Sequence, residues 1–306
     1  MRLPKIIVCL TILGVALPAQ NKQAKQAKTD WNAPFPAHKV IGNVYYVGSA
    51  ELASFLITTP QGHILINSDF EATVPVIRAS VEKLGFKFTD IKILLGSHAH
   101  GDHMEGDALA KELSGARVMA MEQDVPWLRK MTPGNKPHPI DKVLKDGENV
   151  TLGGTTLTAH LTAGHTPGCT TWTTKVDENG KSYNVLIVCS VGVNPGTVLV
   201  NNRDYPSIAD DYARSFKVLR TLQVDVFLGA HGSFYNLSTK YMSLQQGRAN
   251  PFIDAAGFKT YLDEKEKAFT TELAVQKANK ERIHVDSGSH RPVPRPVARR
   301  MDRTRQ

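Results

Sequence analysis

The stretch GSHAHGDH, residues Gly96–His103, places three histidines and one aspartate within six consecutive positions. Imidazoles are costly to remove from water as a group, and they gain little by packing against one another. A folded chain therefore has no structural need for so many proton-binding and metal-binding side chains in one turn. The stretch indicates that a cation binds here.

The spacing within this stretch favours two groups of ligands. His98 and His100 are two positions apart in an extended turn, so their side chains can point to the same side. Asp102 and His103 are adjacent, and the glycine before them gives the backbone the freedom to direct them to a second point nearby. Asp102 has a further interpretation as a helix N-cap, because Glu105 stands at the capping-box position, and both roles are compatible.

Two more histidines extend the pattern along the chain. His165 lies in TAGHTPG and His231 lies in FLGAHGS, each directly after an apolar, strand-like run. Zinc binds imidazole nitrogen and carboxylate oxygen, and catalytic zinc sites leave one position open for water. The complete pattern therefore predicts a metal site built at the ends of several strands.

The remaining histidines stand apart from this pattern. We expect solvated positions for those in turn, loop or tail sequence, which are His38, His63, His138, His284 and His290. His160 lies inside a strand-like run, so a structural role is expected there.

Strand-like and helical segments alternate along the rest of the chain. Strands are predicted from β-branched and aromatic runs in residues 40–49, 53–68, 91–97, 116–121, 150–165, 170–176, 182–190 and 224–231. Helices are predicted from helical spacing of apolar residues in 73–86, 104–115, 208–222 and 252–280. The segment 122–141 contains four prolines and is predicted to be a loop. This alternation predicts a layered α/β sandwich.

The composition is that of a folded protein with charged ends. Of 306 residues, 41% are hydrophobic, which excludes a chain that is disordered throughout. The net charge is +8, but three lysines in residues 21–28 and seven arginines in residues 281–306 carry most of it. Because the part between these segments is nearly neutral, we interpret them as solvated ends and expect no nucleic-acid partner.

The N-terminal segment predicts export. Residues 1–19 have a basic start, a short apolar run and small residues at the end, which is typical of a secretory signal peptide. The alternative is a short membrane anchor, although the apolar run is shorter than a membrane span requires. We therefore predict a signal peptide in 1–19, a flexible basic lead-in in 20–34, one domain in 35–282 and a disordered basic tail in 283–306. The expected location is the periplasm, with no stable membrane span after cleavage.

The three histidine motifs together resemble those of a known family. HAHGDH, GHTPG and GAHG resemble the metallo-β-lactamase superfamily, and their order and spacing match along nearly all of residues 35–280. The resemblance implies an αββα four-layer sandwich of the α/β class, with a dinuclear metal cleft between the two β-sheets. It implies two zinc ions per chain, the first held by His98, His100 and His165 and the second by Asp102, His103 and His231.

Ser190 narrows the resemblance to one branch of this superfamily. Glyoxalase-like thioesterases, lactonases and phosphodiesterases usually carry a bridging aspartate at this strand end, and some β-lactamases carry a cysteine ligand. Here Cys189 lies one residue too early, and the serine at the ligand position resembles the third subclass of class B β-lactamases. Members often carry a second hydroxyl residue two positions later, where this chain has Gly192. The mode of binding of the substrate carboxylate is therefore open.

The resemblance implies a zinc-dependent β-lactamase that confers antibiotic resistance by hydrolysing the lactam amide bond with a metal-bound hydroxide. In this mechanism Asp102 orients the hydroxide, and Ser190 forms a hydrogen bond to the substrate or to an ordered water. The partner is a small-molecule β-lactam, and a monomer is expected. The alternatives are another hydrolase of the superfamily, such as a lactonase, and a non-catalytic zinc-binding protein.

The two cysteines that remain after cleavage are Cys169 and Cys189. In an oxidising compartment an isolated pair of cysteines tends to be bridged. Both cysteines also belong to segments that the motifs place at the same cleft. We therefore predict a disulfide, and two buried free thiols are the alternative.

Overall fold

The computed structural model describes residues 30–288 of the chain, with side chains described for residues 30–282. The strands are β1 (His38–Ile41), β2 (Val44–Tyr46), β3 (Phe55–Thr59), β4 (Gly62–Ile66), β5 (Ile91–Leu95), β6 (Arg117–Met121), β7 (Lys142–Leu144), β8 (Asn149–Leu152), β9 (Thr155–Leu161), β10 (Thr170–Glu178), β11 (Lys181–Val188) and β12 (Val226–Gly229). The helices are α1 (Val74–Lys83), α2 (Gly101–Met104), α3 (Asp107–Ser114), α4 (Val125–Leu128), α5 (Ile208–Thr221), α6 (Leu237–Gln245) and α7 (Ala255–Gly288).

The strands form two sheets, each contributed by one half of the domain. The first sheet has the order β1-β2-β3-β4-β5-β6-β7, and the second has the order β12-β11-β10-β9-β8. In the first sheet β4 to β7 pair in parallel, and in the second β11 and β12 pair in parallel. Parallel neighbours need crossover connections, and α1 and α3 supply them in the first sheet while α5 supplies one in the second.

Alternating residues of the central strands face two different layers. Phe55, Ile57, Ile64 and Ile66 belong to the large core that also contains residues of the second sheet. The residues between them, with Ile77 and Val81 of α1 and Ala110 of α3, form a separate core on the other face. Because side chains in a strand alternate between the two faces, this division places α1 and α3 outside the first sheet.

Helices α5 and α7 cover the outer face of the second sheet. The rings of Phe216 and Phe269 lie 5.9 Å apart, and those of Phe227 and Phe258 lie 5.3 Å apart. All four residues are buried. The helix–sheet–sheet–helix order confirms the predicted αββα sandwich.

The ends of the domain differ from the prediction. The sequence predicts a flexible lead-in up to residue 34, but Pro34 pairs with Ser49 in an isolated bridge and Asn32 accepts a hydrogen bond from the Thr73 hydroxyl. This segment is therefore packed on the domain. Helix α7 continues to Gly288, six residues into the predicted tail. Residues 1–29 and 289–306, which include the predicted signal peptide, lie outside the described residues.

The segment 122–141 is also more ordered than the predicted loop. It contains the one-turn helix α4 and two 3-10 turns, in which Asp124 and Leu128 are buried. Within residues 30–288, no helix has the length and apolar character needed to cross a membrane.

Three histidines predicted to be solvated are buried instead. His38 stacks among aromatic rings, 4.7 Å from Tyr241 and 5.5 Å from Tyr46, and His63 packs against Phe86. His138 lies with its Nε2 atom 3.2 Å from a carboxylate oxygen of the buried Asp107. The other two, His284 and His290, lie outside the described side chains. His160, predicted to be structural, forms a cross-strand hydrogen bond to Thr173.

Candidate metal centre

The predicted ligands come together because three strands, β5, β9 and β12, end at the same edge of the sandwich. The turn after β5 carries His98, His100, Asp102 and His103. The loop after β9 carries His165, and the turn after β12 carries His231. Residues from all of these turns line one cavity. The structure thus assembles all six predicted ligands from segments up to 128 residues apart.

The first group consists of His98, His100 and His165. One ring nitrogen of each lies within 4.8 Å of the others, and the ring centroids are 4.7 to 4.9 Å apart. The Nε2 atom of His98 is buried and has no hydrogen-bond partner. A buried nitrogen without a partner is costly, and a cation at the centre of this group would satisfy it.

The second group consists of Asp102, His103 and His231. The Nε2 atoms of the two imidazoles lie 3.2 Å apart. The Oδ2 atom of Asp102 lies 3.3 Å from Nε2 of His103 and 3.5 Å from Nε2 of His231. Zinc–nitrogen distances of about 2.1 Å in a tetrahedral site separate neighbouring donors by about 3.4 Å. The three donor atoms therefore have the mutual spacing that a zinc ion requires.

Contacts on the far side of the rings orient two of these histidines. His165 Nδ1 lies 3.1 Å from the carbonyl oxygen of Gly192, which also accepts a hydrogen bond from the Tyr212 hydroxyl. His231 Nδ1 lies 3.5 Å from Oε1 of Glu51. When Nδ1 donates to an oxygen, the Nε2 lone pair is free to face a metal ion.

Burial favours the neutral form of His98, His103 and His165. It lowers the pKa values of His98 and His103 well below the ordinary histidine value, and the neighbouring imidazoles add to this effect. Burial and the proximity of His100 lower the pKa of His165 to about 4. Neutral imidazole is the form that binds a metal ion, so these three histidines can bind zinc at neutral pH without first losing a proton.

The alternative role of Asp102 as an N-cap is wrong. Helix α2 has His100 at its N-cap position, and Asp102 lies inside the first turn with no capping hydrogen bond from a side chain. Its carboxylate instead faces the second donor group. Helix α2 therefore positions Asp102 towards the second donor group, and His100 is the residue at the N-cap of the helix.

Two adjoining cavities of about 600 and 530 Å³ open over the donor groups and share His100, His165 and Asn194. The larger one is also lined by Ser190, Gly192 and Lys265. Ser190 is buried, and its hydroxyl oxygen lies 3.4 Å from the backbone nitrogen of Gly192. The floor of the cleft is therefore imidazole and carboxylate, and one wall carries a hydroxyl and an ammonium group.

Cys169 and Cys189 form a disulfide, with Cα atoms 5.9 Å apart. The bridge joins the loop that carries His165 to the end of β11, next to Ser190. The Cys189 sulfur lies 3.4 Å from Nδ1 of His98. It packs behind this ligand, on the side of the ring away from the donor group.

Three acidic residues at the site were missed by the sequence analysis. Asp69 is buried at the end of β4 and accepts a hydrogen bond from Ser54, and burial raises its pKa well above the ordinary value. Glu51 lies against His231, and Asp124 lies between two ligand-bearing loops. Asp69 could have been found from the sequence, because it belongs to a run of polar residues directly after the apolar strand β4. The other two have no local pattern, because long-range packing brings them to the site.

The sequence matches the family model of the metallo-β-lactamase superfamily over residues 53–231, more than half of the chain. The structure is similar to the FEZ-1 metallo-β-lactamase of Legionella gormanii, with 50% identity, a TM-score of 0.78, and coverage of 80% of this chain and 98% of that one. It is similar to BJP-1, a subclass B3 metallo-β-lactamase of Bradyrhizobium japonicum, with 37% identity, a TM-score of 0.76 and coverage of 82% and 98%. A class B3 di-zinc metallo-β-lactamase from an Alaskan soil metagenome has 30% identity, a TM-score of 0.71 and coverage of 80% and 97%.

A curated relative is named as a different kind of hydrolase. A hydroxyacylglutathione hydrolase of Rhodopseudomonas palustris is 32% identical over 112 residues, which is 37% of this chain and 39% of that protein. The match thus spans about two fifths of the relative's length. The similarity to the lactamase structures extends over nearly their whole length.

Proposed function

The chain belongs to the metallo-β-lactamase superfamily, and from this premise we propose that it is a zinc-dependent β-lactamase. The observation that carries the proposal is the similarity at 50% identity along 98% of a β-lactamase chain. The site supports it, because Ser190 occupies the strand end where thioesterases and lactonases of the superfamily usually carry a bridging aspartate. We further propose that two zinc ions bind per chain.

When bound, zinc ions at these two groups would lower the pKa of water to about 7 and polarise a carbonyl oxygen. The side chains of the protein position the water and the substrate. Asp102 holds and orients the attacking water through its carboxylate, since it lies at the cavity floor between His103 and His231. No side-chain nucleophile is needed, because the attacking oxygen comes from water.

The wall of the cleft suits a substrate with an anionic group. Lys265 lines the same cavity as the donor groups, and its ammonium lies 5.8 Å from the ring centre of Phe234 and 5.5 Å from that of Tyr261. β-Lactams carry a carboxylate near the reactive amide. In this proposal Lys265 and the hydroxyl of Ser190 bind the substrate carboxylate. Gly192 has no side chain that could contribute a second hydroxyl.

A second candidate is hydrolysis of a thioester such as a hydroxyacylglutathione. The match to the curated relative favours it, although the match covers 39% of that protein. The experiment that separates the two candidates measures steady-state hydrolysis by the zinc-loaded protein of a penicillin, a carbapenem, an acyl-homoserine lactone and an acylglutathione thioester. Lactam hydrolysis with kcat/KM at least tenfold above the other two classes is expected. Preference for the lactone or thioester would overturn the lactamase proposal.

Export to the periplasm completes the proposal, since β-lactams act outside the cytoplasmic membrane. Its support is the sequence pattern of residues 1–19 together with the disulfide, because disulfides persist in oxidising compartments. Expression of the full chain in a bacterium, followed by fractionation and N-terminal sequencing, tests it. Protein that retains residue 1 in the cytoplasmic fraction would contradict it. Resistance of the same cells to a penicillin would follow from periplasmic activity.

A further inference from the structure

Asp124 is a buried carboxylate that contacts both loops of the first donor group. It lies between β6 and α4, and 2% of its surface is exposed. Its Oδ2 atom accepts hydrogen bonds from the backbone N–H of Ala99, at 2.8 Å, and from the Thr166 hydroxyl, at 2.9 Å. Its Oδ1 atom accepts a hydrogen bond from the backbone N–H of Gly168, at 2.6 Å.

The positions of these three donors connect Asp124 to the metal ligands. Ala99 lies between His98 and His100, while Thr166 and Gly168 follow His165 within three residues. We propose that Asp124 is a positioning residue that fixes the His98–His100 turn against the His165 loop, so that the three imidazoles converge on one zinc ion. This inference rests on the metal site of the proposed function and does not depend on the substrate.

Only a carboxylate satisfies all three donors. Both of its oxygens accept hydrogen bonds, whereas an amide has one accepting oxygen and one donating nitrogen. With asparagine at position 124, the amide nitrogen would face either the N–H of Gly168 or the donors of Ala99 and Thr166. A donor would then meet a donor in a buried place, which costs about 1–3 kcal/mol.

The surrounding packing indicates that the contact is specific. A Cβ atom on Gly168 would lie 2.5 Å from Cγ of Asp124, so the His165 loop approaches the carboxylate as closely as a glycine allows. Another hydrogen bond, from Thr170 N–H to the Ser97 carbonyl at 2.7 Å, joins the first residue of β10 to the turn that follows β5. Asp124 fixes the two loops next to the ligands themselves.

Burial of the carboxylate also has an electrostatic cost. Burial raises the pKa of Asp124 to about 6, although its three hydrogen bonds act in the opposite direction. A zinc ion in the adjacent donor group would offset this cost by attraction across a medium of low dielectric constant. Bound zinc would therefore favour the ionised form of Asp124.

The test measures zinc affinity in a His231→Ala background, in which the second donor group is incomplete. Asp124→Asn is compared with Asp225→Asn, a matched change at a carboxylate that binds Asn184 at the opposite ends of β11 and β12. Competition with a chromophoric chelator gives the zinc Kd of the full chain, and thermal unfolding with EDTA gives the stability without metal. Loss of a hydrogen-bond partner of a metal ligand typically weakens metal binding about 10–100-fold, and the lower end of this range is the expectation for Asp124, which binds the neighbours of the ligands.

We expect the zinc Kd to rise at least tenfold for Asp124→Asn and to stay within twofold for Asp225→Asn, while both lower the unfolding midpoint of the metal-free protein. An unchanged Kd for Asp124→Asn would overturn the positioning role and leave a structural one. Zinc binding by the parent protein without lactam hydrolysis would contradict only the proposed function.

Thr166→Val keeps the inference testable if Asp124→Asn does not fold. It removes one of the three hydrogen bonds to Asp124 and nearly preserves the volume of the side chain. Because the other two hydrogen bonds remain, we expect a smaller rise in the zinc Kd, about threefold to tenfold. If both variants fold, their effects on the logarithm of Kd should be less than additive, because both act through the same contact. Full additivity, or no effect of Thr166→Val, would contradict the proposed link through Asp124.

Discussion

The Nε2 atoms of His103 and His231 lie 3.2 Å apart, although the two residues are separated by 128 positions in the sequence. The Oδ2 atom of Asp102 lies within 3.5 Å of both. One imidazole could donate to the other, but the carboxylate would then face at least one nitrogen lone pair. A cation equidistant from the three atoms removes this conflict. The relationship therefore supports the second metal position that we propose.

From this geometry we predict two zinc ions per chain at saturating zinc and one in the His231→Ala variant. The first group keeps all of its donors in the variant, whereas the second loses one of three. Elemental analysis after dialysis against zinc gives the stoichiometry. Lys259→Met, an exposed change on α7, is the control and should keep two zinc ions. A plateau at one zinc ion in the parent protein would contradict the second group.

Replacing Asp102 by alanine should reduce kcat about a hundredfold or more while changing the thermal midpoint by only a few degrees. The carboxylate faces the donor group and does not cap α2, so its loss affects the reacting water more than the fold. Initial rates of lactam hydrolysis are compared with thermal unfolding of the same preparation. If the variant hydrolyses the lactam at the parental rate, Asp102 has no role in the reaction.

Replacing Lys265 by methionine should raise the KM for penicillins about tenfold and leave kcat within a factor of three, since an ion pair inside a partly enclosed cleft stabilises binding by about 1.4 kcal/mol. Methionine keeps the packing against Phe234 and Tyr261 and removes the charge. A carboxyl-esterified β-lactam tests the cause, because its KM should be the same for both proteins. Lys259, which pairs with Asp263 on the same helix, provides the control as Lys259→Met. An equal rise in KM for the ester would exclude charge recognition.

The sequence predicted which candidate ligands come together better than it predicted the environment around them. Ligands such as His165 and His231 occupy strand ends, and strand ends are visible as the limits of apolar runs. The acidic residues around the ligands are different, because Asp124, which binds the ligand-bearing loops, and Glu51, which contacts His231, reach the site through the packing of distant segments. The burial of His38 and His138 was missed for the same reason. Nothing in the neighbouring sequence indicates that an aromatic cluster or Asp107 surrounds them.

His138 should make stability depend on pH. Burial lowers its pKa, but the hydrogen bond and charge of Asp107, with the carbonyls of Met104 and Pro139, outweigh this effect, so the pKa is raised above 6.5 in the folded state. A raised histidine pKa contributes stability that is fully present below pH 6.5 and is lost as the pH rises through the folded value. Urea unfolding at pH 5.5 and 8.5 should therefore show a larger cost of His138→Gln at pH 5.5.

His63 provides a control of opposite sign for this measurement. Burial lowers its pKa, so the parent protein loses stability through His63 as the pH falls. The cost of His63→Gln should accordingly be larger at pH 8.5 than at pH 5.5. Equal costs of His138→Gln at the two pH values would show that the ion pair with Asp107 adds nothing to stability.

The disulfide between Cys169 and Cys189 should stabilise the fold by about 3 kcal/mol, because a bridge across a separation of 20 residues restricts the unfolded chain. Both cysteines are buried, so the double change to alanine removes the bridge and leaves no free thiol in the cleft. Urea unfolding of metal-free protein compares the parent with this variant, and reduced parent protein serves as the control for packing. Zinc Kd should rise as well, since the bridge supports both the His165 loop and the back of His98. Two titratable thiols in denatured, unreduced protein from the periplasm would mean that the bridge does not form in the cell.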